Sequence, residues 1–153
     1  MDLRTRLNDA LKSAMREKQA QRLSTLRLIN AAIKDREIDQ RGKGDEATEV
    51  TDDVILSILG KMVKQRQESA RAYEEGGRLE LAENERNEIE IIEEFLPKQL
   101  SEDEVEAAVA KAITDVGANS IRDMGKVMGQ LKSKYTGQMD FGAVGPKVKA
   151  RLG

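Results

Sequence analysis

The stretch that decides the fold is LPKQLSEDEVEAAV, residues 96–109. A residue before proline is pushed out of helical dihedral angles, so a helix should end at Leu96. Ser101 and Glu104 then have the spacing of a capping box. In that motif the serine hydroxyl accepts from the Glu104 amide while the Glu104 side chain reaches back. This boundary predicts two helical units, residues 1–96 and residues 97–153.

Apolar residues before the boundary recur at three- and four-residue steps, which is typical of amphipathic helices. They predict a four-helix unit. The helices are expected from about residue 3 to 15, over about 21–40, from a Thr51 cap to Gly76-Gly77, and over about 78–96. The inward positions include the adjacent pairs Ala14/Met15 and Leu81/Ala82. Between Gln40 and Val50, glycines and charges without a period predict a mobile loop.

Three further helices are predicted after the boundary. The first follows the capping box and ends at Gly117, which suits a left-handed cap. The second runs from Ser120 to Gly137, and Asp140 caps the third. A proline inside a helix costs about 3 kcal/mol, so the regular part of the last helix should begin at Pro146 or be kinked there. The chain as a whole is therefore predicted to be all-α.

Composition limits the chemistry that the chain can perform. Its 153 residues include no cysteine and no histidine, so a cysteine nucleophile, thiolate metal ligands and a histidine base are all excluded. We therefore expect no metal and no cofactor. No run of apolar residues approaches the length of a membrane span. The first residues resemble a structural helix more than a targeting peptide, which predicts a cytoplasmic protein.

Charge is distributed unevenly along the sequence. Residues 1–44 carry 11 Lys and Arg against 6 Asp and Glu, residues 74–106 carry 3 against 13, and residues 120–153 carry 7 against 2. Carboxylates in the middle segment could serve as an acid and a base, but no spacing marks a concave site that would shift their pKa values. The two basic ends point instead to a polyanionic partner.

The sequence DMGKVMG, residues 123–129, raises the question of a phosphate-binding loop. The GxxxxGK[ST] pattern is absent, since Lys126 is followed by valine and no strand precedes it. On a helix, Gly125 and Gly129 lie four residues apart beside an apolar stripe. Each glycine costs about 1 kcal/mol in a helix interior, so a compensating reason is needed. Either a neighbouring helix packs very close, or bare backbone admits the phosphate backbone of an RNA, with Lys126, Lys132 and Lys134 nearby.

Basic residues of the second predicted helix extend the RNA hypothesis. Arg22, Arg27 and Lys34 are the candidates there, and their alternative is an ordinary solvated helix face. Binding to the phosphate backbone would gain from counterion release. Aromatics are only 3% of the sequence, which argues against stacking on single-stranded bases. Recognition of a folded RNA by shape and phosphate is the compatible mode.

Three blocks of this sequence resemble one known family. RLSTLRLI at residues 22–29, LPKQLS at 96–101 and DMGKVMG at 123–129 look like the N-terminal signature, the hinge and the C-terminal signature of the GatB/YqeY family. That family is related to the tail of the B subunit of the tRNA-dependent amidotransferase. The resemblance implies an all-helical protein of two units, whose relative in the large enzyme helps to hold tRNA. It carries no catalytic residue across, and Gly145-Pro146 departs from the family's plain last helix.

Three functions are compatible with these observations. The first is a non-catalytic accessory protein that binds tRNA or another structured RNA, alone or beside amidotransferase subunits. The second is a helical module for protein–protein interaction, in which the acidic fourth helix and the basic ends contact a partner. The third, suggested by family association alone, is a component of carbon–nitrogen ligase activity with glutamine as amido donor.

Overall fold

The computed structural model describes residues 2–43 and 50–153. Within those ranges all regular structure is helical, which confirms the all-α prediction. The chain divides into two compact units, Met1–Leu96 and Pro97–Gly153. Most of the loop predicted between Gln40 and Val50 lies outside the described residues. None of the helices in the described ranges is long and apolar enough to cross a membrane.

The first unit contains four helices. They are α1 (Leu3–Arg16), α2 (Ala20–Gly42), α3 (Asp52–Glu75) and α4 (Leu79–Glu93). Their apolar stripes form one core, whose most deeply buried large side chains are Leu7, Leu26, Ile29, Ile55, Leu59 and Ile92. The predicted Thr51 cap is confirmed, since its hydroxyl accepts from the Val54 amide at 3.4 Å.

The fourth helix is shorter than predicted. Its regular part ends at Glu93 rather than near residue 96. Beyond it, the Phe95 amide donates to the Ile92 carbonyl and the Leu96 amide to the Glu93 carbonyl, each at 3.1 Å. These three-residue bonds tighten the chain into a turn before Pro97, as the constraint on the residue preceding a proline requires.

The second unit contains α5 (Glu102–Val116), α6 (Met124–Tyr135) and α7 (Phe141–Leu152), with a short 3₁₀ helix over Ile121–Asp123. The capping box is present: Ser101 and Glu104 exchange bonds of 3.1 and 3.2 Å. Gly117 adopts the left-handed conformation that ends α5, with φ of 66°. Valines and Leu131 form a separate core for this unit.

Two predictions of helix boundaries in this unit are wrong. The helix expected from Ser120 begins only at Met124, because the Asp123 amide donates to the Ser120 carbonyl at 3.0 Å and closes a tighter 3₁₀ turn first. The last helix begins at Phe141 and continues through Pro146, so only the alternative in which it starts at Pro146 is wrong. Pro146 and Gly142 are both exposed, so water can replace the amide that proline cannot offer to the Gly142 carbonyl.

Candidate nucleic-acid interface

Helix α6 is held in place by its apolar stripe. Val127 and Leu131 are completely buried, while Met124 and Met128 pack against the same core and remain partly exposed. These four residues are the stripe that the helical period predicts. Since one side of α6 is fixed against α5 and α7, its remaining flanks have a defined orientation within this unit.

The two glycines of α6 lie on an open flank. Gly125 and Gly129 are both exposed, and a Cβ built on either would meet no atom of the described residues within 4 Å. Within the described residues of this unit, the expectation that a neighbouring helix packs tightly over the two glycines is therefore wrong. The glycines leave a strip of helix backbone that an external group can approach.

Two of the three predicted lysines accompany these glycines. At roughly 100° per residue, Lys132 lies beside Gly125, and Lys126 lies beyond Gly129 on the same side of α6. Both lysines are exposed and make no ion pair with any described residue. Lys132 also lies in the last helical turn, where the helix dipole favours a cation. We call Gly125, Lys126, Gly129 and Lys132 the glycine flank.

Lys134 belongs to the opposite side of α6. It lines a shallow groove against α5, together with Asp115 and Gln130, and this groove encloses no space for a water molecule. Gln130 donates to the Asp115 carboxylate at 3.3 Å, and Lys111 does so at 3.1 Å. Lys134 therefore lies away from Gly125 and Gly129, although the sequence predicts it among the lysines near them.

Two cations of α7 are neutralised within the second unit. Lys147 and Arg151 on α7 both reach Glu106 on α5, at 3.2 and 3.1 Å. The hydrogen bond from Lys147, followed by that from Arg151, lowers the pKa of Glu106 below its usual value. Lys147 and Arg151 are therefore less available to a polyanion than the unpaired lysines of the glycine flank.

The three predicted cations of α2 lie in the first unit and have different environments. Arg22 is partly buried and forms an ion pair with Glu94, just after the end of α4. Arg27 and Lys34 are exposed and have no ion pair within the described residues. Arg22 is therefore engaged in the fold, whereas the other two are available to a partner.

One carboxylate that the sequence did not single out has an unusual environment. Burial raises the pKa of Glu85 on α4, the neighbouring Glu88 carboxylate raises it further, and Arg66 opposes both. Arg66 itself donates to Glu88 at 2.7 Å. The sequence signal was weak, since Glu85 is one of many glutamates in an acidic helix. Among the described residues, no three carboxylates are grouped as a metal site would require.

Comparison with known families identifies the chain at the family level. A family model described as YqeY-like protein matches residues 4–152, which is nearly the whole sequence. The chain belongs to the YqeY-like family. The resemblance noted in its three sequence blocks is thus confirmed for the family as a whole.

Curated relatives of this YqeY-like chain occur in fungi. Proteins from Kluyveromyces lactis and Clavispora lusitaniae are 34% and 36% identical to it, over 72% and 71% of this chain. The chain spans only 58% and 61% of their lengths. A protein from Pyrenophora tritici-repentis is 27% identical over 97% of this chain and 80% of its own length. All three are named "Altered inheritance of mitochondria protein 41, mitochondrial".

Proposed function

We propose that this YqeY-like chain is a non-catalytic accessory protein that binds tRNA or another structured RNA through the glycine flank of α6. The observation that carries the proposal is the open space over Gly125 and Gly129 beside unpaired Lys126 and Lys132. Gly125 lies in the first turn of α6, whereas Gly129 lies in its interior and weakens the helix by about 1 kcal/mol, a cost that no packing contact in the described structure compensates. Close approach of an external backbone supplies a reason for them.

The chemistry of the flank suits phosphate rather than bases. Lysine is a compact point charge, and its contacts with phosphate oxygens carry no sequence information. Helix α6 has no exposed aromatic side chain on which a base could stack. Its one aromatic residue, Tyr135, packs against the core. Recognition of a folded RNA by its shape and its phosphates is the mode that fits these residues.

Arg27 and Lys34 of the first unit are the other candidate RNA contacts, and the proposal for the glycine flank does not depend on them. Amidotransferase subunits are proposed as further partners only through the family resemblance. Ligase activity with glutamine as amido donor is the least supported alternative, because the sequence contains no cysteine nucleophile. Glutamine-dependent amidation of misacylated tRNA by the purified chain would establish that alternative.

The cytoplasm is the location that we propose from the sequence. The names of the curated relatives contain the word "mitochondrial", which makes the mitochondrion the specific alternative. Their names also refer to the inheritance of mitochondria, and they specify no molecular activity. Fractionation of cells that express the full protein distinguishes the two locations.

The direct test is a filter-binding titration of the purified chain with total tRNA at low salt. We expect Lys126→Glu plus Lys132→Glu to weaken binding by about tenfold or more, and to reduce the slope of affinity against salt concentration. Lys12→Glu plus Lys61→Glu is the matched control, because it changes the net charge equally at exposed positions of the first unit. Lys134→Glu tests whether the RNA also contacts the side of α6 that faces α5.

Three results would contradict the proposal: no binding at low salt, equal losses in the flank variant and the control, or binding that does not respond to salt. Circular dichroism of each variant verifies that the helices are retained.

A further inference from the structure

Helix α2 exposes a row of residues that the first unit does not use. Arg27, Lys34 and Ile38 lie within about 40° of one another on the helix surface, turned away from the buried Ile29 and Ile33. Ile38 is 55% exposed, and neither cation has an ion pair within the described residues. We call Arg27, Lys34 and Ile38 the basic stripe.

Helix α4 exposes a row of opposite charge. Leu79, Glu83 and Glu90 also fall within about 40° of one another, and all three are exposed. Arg86 lies in the same row, where its charge is met by an ion pair with Glu74 on α3. Leu79 is 67% exposed, the largest exposure among the large apolar side chains that the structure describes. Neither glutamate has an ion pair with a described residue. We call Leu79, Glu83 and Glu90 the acidic stripe.

The two stripes match in spacing as well as in charge. Arg27 and Lys34 are seven residues apart, as are Glu83 and Glu90, which is about 10.5 Å along either helix. Ile38 follows Lys34 by four residues, whereas Leu79 precedes Glu83 by four. If the helices run in opposite directions, Arg27 meets Glu90, Lys34 meets Glu83 and Ile38 meets Leu79 in a single register.

We propose that two copies of this chain associate by pairing the basic stripe of one with the acidic stripe of the other. Each copy carries both stripes on the same unit. Arg22 near the start of α2 pairs with Glu94 just after α4, so the two helices run in opposite directions within a chain. Reciprocal pairing about a twofold axis is the closed arrangement that uses both stripes of each copy, and it buries the exposed Ile38 and Leu79 together.

A second copy fits these stripes better than RNA does. Arg27 and Lys34 alone could bind phosphate groups. Ile38 on the same stripe makes no favourable contact with a phosphate, and the glutamates of the acidic stripe repel one. Exposed ion pairs contribute little individually and are screened by salt. The dimer is accordingly weak, dependent on protein concentration and sensitive to ionic strength.

The test is sedimentation equilibrium of the nuclease-treated full chain over a range of concentrations. We expect Arg27→Glu plus Lys34→Glu, and separately Glu83→Lys plus Glu90→Lys, to weaken self-association by about tenfold or more. An equimolar mixture of the two variants should restore a heterodimer, because each altered stripe then meets an opposite charge. Arg36→Glu plus Arg71→Glu changes the charge as much as the first variant does at exposed positions, and should dimerise as the native chain does.

A native chain that stays monomeric at every concentration would overturn the proposal, as would a mixture that does not associate. If reversal of the basic stripe reduces tRNA binding and leaves self-association intact, the stripe belongs to RNA and the dimer is wrong. The glycine flank lies on another unit and is tested by other variants, so either proposal can fail alone.

Discussion

Arg66 on α3 donates from its Nε atom to the Glu88 carboxylate on α4 at 2.7 Å. The side chains of the two residues are only 14% and 27% exposed, so water screens this pair less than a surface ion pair. The same guanidinium donates to the Met62 carbonyl at 3.2 Å. Arg66 therefore connects α3 to α4 and offsets the negative charge of Glu85 and Glu88.

Replacing Arg66 by methionine, which keeps much of the aliphatic volume, should lower the free energy of unfolding by about 1–3 kcal/mol. The loss arises because Glu88 is left partly buried without its partner. Arg86→Met is the matched control: its pair with Glu74 is about half exposed and should contribute about 0–1 kcal/mol. Urea denaturation followed by circular dichroism measures both. Equal effects would mean that burial does not strengthen the Arg66 pair.

Glu85 should destabilise the first unit at neutral pH. Burial raises its pKa above the ordinary 4.5, so the folded state holds the proton more tightly than the unfolded chain does. Its contribution to the free energy of unfolding consequently falls as the pH rises from about 4.5 through the raised value. We expect Glu85→Gln to be more stable than the native chain at pH 7, with a difference that shrinks on acidification. Asn84→Gln, at an exposed position of α4, removes no titratable group and should leave the dependence on pH as it is in the native chain.

Glu106 should show the opposite dependence in the second unit. Hydrogen bonds from Lys147 and then Arg151 lower its pKa below 4.5, so its stabilising contribution is present above that pH and is lost as the pH falls through the lowered value. Glu106→Gln should be less stable than the native chain at pH 7 and equally stable in acid. In a background of Lys147→Met plus Arg151→Met, the same substitution should have little effect, and a full effect there would exclude the ion pairs as the cause.

Gly129→Ala should separate stability from binding. A Cβ at this position meets nothing within 4 Å, so alanine should stabilise α6 by about 1 kcal/mol through its better helix propensity. If RNA phosphates approach the bare backbone, the same methyl group should weaken tRNA binding. Gly60→Ala on α3 is the matched control, since its Cβ also meets no described atom and it should stabilise without affecting RNA. Thermal unfolding and filter binding report the two effects, and unchanged tRNA affinity in Gly129→Ala would remove the reason for the glycines.

Local signals in the sequence predicted most helix ends correctly. Thr51, Ser101, Gly117 and Asp140 act within a few residues of themselves, so their roles do not depend on the rest of the fold. The end of α4 and the 3₁₀ turn before Met124 were missed, because three- and four-residue hydrogen bonds compete closely at helix termini.

Contacts between helices were harder to predict from the sequence than helix ends. At the adjacent pairs Ala14/Met15 and Leu81/Ala82, the smaller residue is fully buried and the larger one is exposed. Periodicity assigns a direction to within about 100°, so it cannot choose between adjacent residues. The open space over Gly125 and Gly129 was undecidable for a similar reason, because it depends on where α5 and α7 lie. Proximity in the sequence likewise could not show that Lys134 lies against α5 and away from Gly125.

The division at Leu96 and Pro97 also bears on how the chain is made. Every residue of the first core precedes Pro97, and at least the 57 residues of the second unit are added after Leu96. At roughly 5–20 residues per second, translation of that remainder takes about 3–11 s. Small helical bundles fold in microseconds to milliseconds, so the first unit has time to complete its core while the second is still being synthesised. The first unit is therefore synthesised and folded first, so its surface is available to a partner in the cell before that of the second unit.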